Sequence, residues 1–419
     1  MIAEIILLKN IARIYYMGLI NVNNMDMPVV ASRMELKADG VSRYDFIKMS
    51  RDTTSNSWIA RNAFGYNILS YEDVSVIVKD GRWHAAVGLL ADLNPYTTPE
   101  FKTRRKTGML ALNGEAHRRL KKLVSPYFSP ALAERMRPEM RQLIIELIEP
   151  FVGKEFDISK EVFSKYPTKI ICRILGIPDT RLEDFNRWAE DLLSNWGSDF
   201  SKSTKQILAS QKEMDEYIGS IINQRRLEPK IDLISMLVLS RDGEDSLDNE
   251  EITTLVETLA IAGLDTIYHQ LGTMLVTLLN NRHIWNDFIS NPEDRNKIIE
   301  ELLRIDGTVC ETGRIASEDI VHKNVLFPKG TIVFINLAAA NMDTSVFDEP
   351  DVLNTKHEGQ HFSFGGGLHK CIGAALARAE IQVALDVIAE KMPTIQRAGE
   401  VLYSADNSAV YGPVSILVN

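Results

Sequence analysis

The stretch Phe362-Ser-Phe-Gly-Gly-Gly-Leu-His-Lys-Cys371-Ile-Gly373 decides how this chain is interpreted. It delivers one cysteine on a glycine-rich loop that runs directly into a predicted helix. Glycine adopts backbone angles that other residues avoid, so the main chain of such a loop can approach a flat ligand closely. A helix N-terminus near Cys371 lowers the pKa of a thiol, and we therefore expect the sulfur to be held as an anion.

The segment from Phe364 to Gly373 matches Phe-x-x-Gly-x-x-x-Cys-x-Gly, the haem-binding signature of the cytochrome P450 family, and the chain resembles the soluble bacterial members. Four fixed positions arise by accident in a chain of this size on the order of once in a thousand sequences. The resemblance implies that Cys371 ligates the iron of haem b, with Phe364 and Gly365 beside it. A thiolate ligand favours cleavage of the O–O bond. The alternative is a buried structural cysteine beside a glycine-rich turn.

Length and composition indicate one large helical unit. No Pro/Gly/Ser-rich linker, charge block or repeat divides the 419 residues, and 45% hydrophobic residues are ample for a sizeable core. Strand-like runs occur at 64–69, 329–335 and 414–418. The fold class expected is mainly α with a small β region (α+β). The resemblance implies a single cytochrome P450 domain over residues 31–419, with haem between a long central helix and the helix after the cysteine loop.

Charge and cysteine usage exclude some classes of protein. The chain has 57 acidic and 47 basic residues, a net charge of −10, which argues against nucleic acid as the main partner. Cys172, Cys310 and Cys371 are widely spaced, without a zinc-like or disulfide-framework pattern. This spacing favours a reducing compartment, and we expect a cytoplasmic protein. Cys172 lies in an apolar run and is interpreted as a packed core residue.

Residues 1–30 are treated as an uncertain N-terminal extension. Its apolar character runs from Ile5 to Leu19, but Lys9 and Arg13 interrupt it. The uninterrupted part is far shorter than the roughly 20 residues that a membrane span requires, so we expect no span. Two alternatives stay open: an amphipathic helix on a membrane surface or on the protein itself, and a start codon assigned upstream of the true one.

The strongest helix signal begins at Asp248, an N-cap with Glu251 three positions on, and continues to about Leu279 without proline. Its middle, Ala262-Gly-Leu-Asp-Thr266, interrupts an apolar run with residues that weaken a helix. Glycine costs up to about 1 kcal/mol relative to alanine. A threonine hydroxyl bonded to the carbonyl four residues earlier tends to bend the helix. Such local inconsistency indicates a functional segment.

This segment resembles the oxygen-binding groove of the family. The resemblance implies that Gly263, next to Ala262 at the haem, lets the helix open beside the iron. It also implies that Thr266 donates a hydrogen bond to bound oxygen and that Asp265 relays protons from solvent. The family often has a second threonine where this chain has Ile267. The alternative is a helix with a capped acid and a packed threonine.

Haem propionates require cations or hydrogen-bond donors. His117 and Lys121 lie one helical turn apart, so both can point the same way. By resemblance these two, with Arg314 and His369, are propionate ligands. The family usually has arginine at Lys121, and lysine gives a point charge rather than a bidentate fork. For each residue the alternative is a solvated surface charge.

Glu301 and Arg304 resemble the family's Glu-x-x-Arg motif, in which the two residues form a buried structural ion pair. The usual third partner is an arginine, and here Lys356 or His357 stands in that neighbourhood. Met342 replaces a further arginine that is common in the family.

Two further segments are interpreted from their sequence patterns. Residues 95–106 are polar and proline-punctuated, which predicts a surface loop. Residues 181–196 carry Phe185, Trp188 and Leu192 at helical spacing. This spacing predicts an ordinary amphipathic helix, whereas the resemblance implies a roof over the substrate pocket.

The function implied by the resemblance is a haem-dependent monooxygenase that inserts one oxygen atom from O2 into an apolar small molecule. Electrons would come from a separate ferredoxin or flavodoxin, since no flavin or dinucleotide motif is present. The alternatives are a peroxygenase, which usually lacks the acid–alcohol pair, and a non-catalytic haem sensor. By family position the substrate would meet a set of mostly small and apolar side chains: Ala262, Val309, Cys310, Thr312, Asn407, Ser408, Ala409 and Val410.

Overall fold

The computed structural model describes residues 19–32, 43–88, 92, 98–194, 204–240, 247–404 and 410–419. Within these ranges the principal helices, in chain order, are α1 (Arg43–Thr54), α2 (Tyr71–Ile77), α3 (Pro99–Thr107), α4 (Gly114–Val124), α5 (Pro130–Ile148), α6 (Tyr166–Leu175), α7 (Leu182–Ser194), α8 (Thr204–Leu227), α9 (Leu233–Leu239), α10 (Asn249–Asn280), α11 (Arg282–Ser290), α12 (Arg295–Ile305), α13 (Leu337–Asn341) and α14 (Ala374–Lys391). Helices dominate, so the mainly α expectation is confirmed.

The strands form small sheets beside this helical mass. They are β1 (Ile20–Asn21), β2 (Ile59–Asn62), β3 (Gly65–Ile68), β4 (Trp83–Ala85), β5 (Phe156–Asp157), β6 (Glu311–Ala316), β7 (Ile320–His322), β8 (Val325–Phe327), β9 (Ile332–Asn336), β10 (Leu402–Tyr403), β11 (Pro413–Ser415) and β12 (Leu417–Val418). The largest sheet has the order β2-β3-β9-β6-β4, and a second has the order β1-β8-β7. The run at 414–418 divides: β11 pairs with β10 and β12 pairs with β5. The small β region is therefore confirmed.

The long helix predicted from Asp248 is α10, which packs against α6, α7, α8 and α14. Asp248 is its N-cap, and Asp248 and Glu251 form the reciprocal bonds of a capping box. Most of the helix is buried, because almost every side chain between Ile252 and Leu264 is apolar or small. This burial positions the middle of α10 as one wall of the interior.

The helix predicted at 181–196 is α7, and its apolar face belongs to the core. Phe185, Trp188 and Leu192 are all fully buried. The indole of Trp188 donates a hydrogen bond to Glu213 Oε2 at 2.8 Å. The amphipathic-helix interpretation therefore describes these residues better than a pocket roof does. Trp196 lies outside the described residues.

The prediction of a surface loop at 95–106 is wrong for its second half, where α3 is helical. Arg104 donates to Asp215 on α8 and to Glu257 on α10, at 2.6 and 2.8 Å. Arg105 donates to the carbonyl of Leu192 at 3.0 Å. These contacts join α3 to three other helices, and a polar sequence does not reveal them.

The described part of the N-terminal extension packs onto the protein. Ile20 pairs with Val325 in the sheet formed by β1, β8 and β7. Val22 is fully buried in the cluster beneath that sheet. Residues 19–30 therefore share a core with the segment predicted as the P450 domain, while residues 1–18 lie outside the described ranges. Among the described helices, none is long and apolar enough to cross a membrane.

Candidate active site

The cysteine loop is held by its own main chain and by glycine conformations. The Cys371 N–H donates to the carbonyl of Phe364 at 2.9 Å. Gly365 and Gly367 have φ angles of 61° and 62°, in the left-handed region that side chains avoid. A Cβ on Gly367 would lie 1.8 Å from the carbonyl oxygen of Val78. The close approach that requires glycine here is therefore to the end of α2.

The Cys371 thiol differs from the sequence expectation. Cys371 lines the cavity and is exposed there, although the surrounding protein atoms are close enough to the sulfur to desolvate it. Burial raises the pKa of Cys371, against the opposing effects of the Gly373 N–H and of the Lys121 and Arg378 charges. The net direction is opposite to the lowering expected from the sequence, because desolvation outweighs the hydrogen bond from Gly373, the N-cap of α14.

Cys371 opens into a cavity between the cysteine loop and α10. The cavity is lined by all nine residues that the sequence assigned to haem: Ala262, Gly263, His117, Lys121, Arg314, Phe364, Gly365, His369 and Cys371. Thr266 lines it from α10. The structure thus brings residues from α4, α10, β6 and the cysteine loop to one enclosed space.

His117 and His369 meet at the edge of this cavity. Their ring centroids are 4.5 Å apart, and His369 Nε2 lies 3.3 Å from Asn113 Oδ1. The Nδ1 of His117 is buried and has no hydrogen-bond partner among the described residues. Burial, and then nearby positive charges, lower the pKa of His117 to about 4 and that of His369 to about 3. Both rings are therefore neutral at pH 7 in the protein alone.

Arg314 is a buried cation on β6. Its Nη1 donates to Thr312 Oγ1 and to the Gly313 carbonyl, both at 2.9 Å. No ion pair of Arg314 with an acid is found in the described ranges. Burial lowers the pKa of Arg314 to about 10. A buried guanidinium without a counter-ion is costly, so the site favours an acidic ligand.

Lys121 lines the same cavity, but its ammonium group is already engaged. It donates to the carbonyls of Leu368 and Lys370, at 2.7 and 3.2 Å. These bonds tie α4 to the cysteine loop. In the protein alone Lys121 therefore holds the loop, and its contact with a propionate stays a prediction.

On the central helix α10, Thr266 lines the cavity and Asp265 does not. Thr266 Oγ1 donates to the carbonyl of Ala262 at 2.9 Å, which is the back-bond expected from the sequence. Asp265 does not line the cavity, and its carboxylate lies 3.4 Å from His269 on the next turn. α10 is a continuous helix through Gly263, where an added Cβ would lie 3.0 Å from Ile171. An opening of the helix at Gly263 therefore stays a prediction.

The residues assigned to substrate contact separate into two groups. Ala262, Val309 and Thr312 line the cavity. Cys310 lies outside its lining and is buried in a separate cluster with Phe46. Val410 is buried and also outside the lining. The other positions, 407–409, fall outside the described residues.

The Glu301–Arg304 pair is buried next to the cysteine loop. Arg304 makes two bonds to the Glu301 carboxylate, at 2.7 and 2.8 Å. His357 Nδ1 lies 2.9 Å from Glu301 Oε1, so His357, and not Lys356, occupies the place of the usual third partner. Arg304 Nη1 also lies 3.6 Å from the sulfur of Met342. The motif keeps its geometry although two arginines of the family are replaced.

A scan of protein-family models matches the chain to "Cytochrome P450" over residues 84–288 and 295–391. The chain belongs to the cytochrome P450 family. It is 31% identical to the mycinamicin IV hydroxylase/epoxidase of Micromonospora griseorubida over 334 residues, covering 78% of this chain and 82% of the relative. It is also 31% identical to the biotin biosynthesis cytochrome P450 of Bacillus subtilis (strain 168), covering 80% and 85%.

Solved structures agree with this placement. P450BioI, in complex with hexadec-9Z-enoic acid ligated acyl carrier protein, superposes with a TM-score of 0.82 at 27% identity, covering 90% of this chain and 98% of that one. The curated relatives include one named as a hydroxylase/epoxidase and one named as an N-oxygenase. This P450 is therefore an oxidoreductase of the bacterial monooxygenase family.

Proteins of this family bind haem b. The P450 cavity fits that group on three observations: a cysteine lines it, and within the described part of the chain His117 Nδ1 has no hydrogen-bond partner and the buried Arg314 has no counter-ion. Cys371 would hold the iron. Arg314, His117 and His369 would hold the propionates, whose negative charge offsets the cost of burying the guanidinium.

Two residues of the P450 site were missed from the sequence. Glu380 on α14 lines the cavity, and burial raises the pKa of its carboxyl well above the usual range. Gln270 accepts from the Thr308 N–H at 3.3 Å and donates to the Asp306 carbonyl at 3.1 Å. The sequence signal that could have identified them is a polar side chain inside each of two strongly apolar helices.

Proposed function

We propose that this P450 inserts one oxygen atom from O2 into an apolar small molecule, with electrons from a separate ferredoxin or flavodoxin. The observation that supports it most is the single cavity that has Cys371 on one wall and Thr266 on the other. Bound haem supplies the iron at which dioxygen is activated. The chain's own residues hold that group, orient the substrate and deliver protons.

Thr266 is the proposed donor to bound oxygen. Its hydroxyl donates a hydrogen bond to the Ala262 carbonyl, and this bond fixes the Thr266 side chain before a ligand binds. Asp265 is the proposed proton relay, because it lies outside the cavity lining and 18% of its side chain is exposed. Thr266 and Asp265 are neighbours on α10, so together they would connect the cavity to solvent.

The proposed substrate is an organic, mostly apolar small molecule. The cavity lining includes the apolar side chains of Leu259, Val309 and Leu337, and its uncharged polar side chains include Thr258 and Thr312. A relative's structure contains an unsaturated fatty acid on a carrier protein, and another relative oxidises a mycinamicin. The lining suits such hydrocarbon-rich substrates, because few polar groups would be desolvated on binding.

The proposed electron donor approaches the cysteine side of the haem. Arg118 and Lys122 on α4 and Lys370 beside Cys371 are exposed, and they form a basic surface on a chain of net charge −10. Such a surface would steer an acidic donor. Arg119, on the same helix, is instead paired with Glu251 of α10 at 2.9 Å. The cysteine usage favours a cytoplasmic enzyme.

Substitution of Thr266 by alanine tests the proposal. Thr266→Ala should keep haem and substrate binding, but a several-fold larger share of the donor's electrons should emerge as hydrogen peroxide. Thr273→Ala is the matched control, because Thr273 makes the same back-bond to His269 at 2.8 Å outside the cavity.

Two results would contradict the proposed role. Unchanged coupling in Thr266→Ala, measured with a confirmed substrate, would favour a peroxygenase. Persistent absence of substrate-dependent oxygen consumption, despite thiolate-ligated haem and a competent donor, would favour a haem sensor.

A further inference from the structure

Gln270 on α10 is a buried polar residue to which the proposed function gives no role. It lies one helical turn after Thr266, and only 5% of it is exposed. Its neighbours Ile267 and Leu271 on the same helix are buried and apolar. A buried amide costs free energy unless its donor and its acceptor are both hydrogen-bonded. The partners of Gln270 therefore indicate what the residue does.

Gln270 bonds to two main-chain groups of the segment that joins α12 to β6. Its Nε2 donates to the Asp306 carbonyl at 3.1 Å, and its Oε1 accepts from the Thr308 N–H at 3.3 Å. A carbonyl oxygen only accepts and an N–H only donates, so these partners fix the orientation of the amide. Between them lies Gly307, where an added Cβ would be 3.1 Å from Ser363 Oγ of the cysteine loop. Residues 306–308 are thus held between α10 and the cysteine loop.

The same segment is also bonded to the C-terminal part of the chain. The carbonyl of Thr308 accepts from the Tyr411 N–H at 3.1 Å. That C-terminal part contacts α10 directly as well, since His269 Nδ1 lies 3.3 Å from the Pro413 carbonyl oxygen. The N–H and the C=O of Thr308 therefore both have partners, one on the helix and one on the C-terminal segment.

The residues that follow this anchored point form part of the cavity wall. Thr308, Val309 and Thr312 line the cavity that Cys371 and Thr266 also line. Peptide groups are planar, so fixing the peptide on each side of Thr308 fixes the φ and ψ angles of that residue. Those two angles determine where the next residue, Val309, lies. Gln270 therefore acts on the cavity wall through the main chain.

We propose that Gln270 is a positioning residue that sets the orientation of the substrate, because it holds Val309 at a fixed place in the cavity wall through the Thr308 peptide groups. The inference rests on the proposed function, in which this cavity takes an apolar small molecule. Apolar contacts are not directional, so the shape of the wall decides which carbon atom of such a molecule is presented for reaction. A misplacement of about 1 Å can change a rate by about 100-fold.

Two azole probes test this position without a known substrate. Imidazole and 4-phenylimidazole both bind haem iron through a ring nitrogen, and only 4-phenylimidazole carries a second ring that reaches the cavity wall. Gln270→Met keeps the length of the side chain and makes neither bond. It should change the ratio of the two dissociation constants several-fold, measured from the shift of the Soret band. An unchanged ratio would overturn the proposal.

Asn67→Leu is the matched control for the azole titration. The Asn67 amide on β3 is also fully buried, and it donates to the Val30 carbonyl at 2.7 Å and accepts from Asn62 at 3.0 Å. Asn67 is not among the described residues that line the cavity. The control should lose stability and keep the parental ratio, so a general loss of stability cannot account for a changed ratio in Gln270→Met.

Hydrogen exchange, measured by mass spectrometry, detects the anchored segment directly. Residues 306–312 should exchange faster in Gln270→Met than in the parent, and at the parental rate in Asn67→Leu. In the parent, 4-phenylimidazole should slow this exchange more than imidazole does, because its second ring packs against Val309. Equal protection by the two azoles would overturn the proposal. That comparison uses only the parent, so it decides the matter even where Gln270→Met fails to fold.

Turnover with a confirmed substrate separates this inference from the proposed function. Gln270→Met should move part of the oxidation to a different carbon atom, whereas Thr266→Ala should raise the share of peroxide. Parental products from Gln270→Met, while Thr266→Ala uncouples, would remove Gln270 from substrate orientation and leave the proposed function standing. Absence of any oxidised product from the parent would overturn the proposed function, and the azole and exchange measurements would still decide what Gln270 holds.

Discussion

Arg314 shows how a single residue indicates the charge of the ligand that its site would hold. It is buried, lacks an acidic partner in the described ranges, and donates only to a hydroxyl and a carbonyl. A buried charge without compensation destabilises a fold. Its position beside His117 and His369 is explained if a propionate accepts from all three. The sequence motif predicted this role, while the structure supplies the energetic reason.

Replacing Arg314 should weaken haem binding. A hydrogen bond to a charged group contributes about 1.5–3 kcal/mol, so Arg314→Ala should lower haem affinity roughly 10- to 100-fold. The rate of haem loss, measured by transfer of haem to an acceptor protein, reports this change in affinity. Arg118→Ala, which removes an exposed arginine paired with Glu115, is the control. Equal rates of haem loss in both variants would contradict the assignment of Arg314.

At the scale of elements, ion pairs connect α3 to the helices around it. Arg104 reaches Asp215 and Glu257, and Gln211 also donates to Glu257 at 2.9 Å. Burial, against the Arg104 charge, raises the pKa of Asp215 to about 6. The cluster therefore fixes α3, whose C-terminal neighbours Met109 and Leu110 line the cavity.

Removing Arg104 should loosen α3. The expected loss of unfolding free energy for Arg104→Ala is about 2 kcal/mol, less than the roughly 3–5 kcal/mol of a fully buried pair, because 17% of the side chain is exposed. Urea unfolding measures the loss, and hydrogen exchange should be fastest in α3. Arg82→Ala, in an exposed pair with Asp80, should cost less than about 1 kcal/mol. Equal losses would refute the anchoring role.

Local sequence signals predicted the elements that depend on local chemistry. The capping box at Asp248, the glycines of the cysteine loop and the Glu301–Arg304 spacing all act within a few residues. α3 was missed because its arginines are stabilised by acids more than 100 residues away. His357 and His269 could not be singled out for the same reason, since their partnerships with Glu301 and Pro413 exist only after folding.

At the scale of the whole molecule, the acidic chain carries a local basic surface beside Cys371. Lys122→Glu should slow first-electron transfer from an acidic ferredoxin at low salt and flatten its ionic-strength dependence. Substrate affinity should not change. Lys212→Glu on α8, an exposed lysine away from the cysteine loop, is the matched control. Parent-like rates in Lys122→Glu would place the docking surface elsewhere.

The central claim is that Cys371 is the thiolate ligand of a haem at the floor of this cavity. The most direct measurement is the carbon monoxide difference spectrum of the reduced protein. The parent, Cys172→Ala and Cys310→Ala should each show the red-shifted band of thiolate ligation, and Cys371→Ala should lose it. Retention of that band in Cys371→Ala, with its loss in either of the other two variants, would contradict the account.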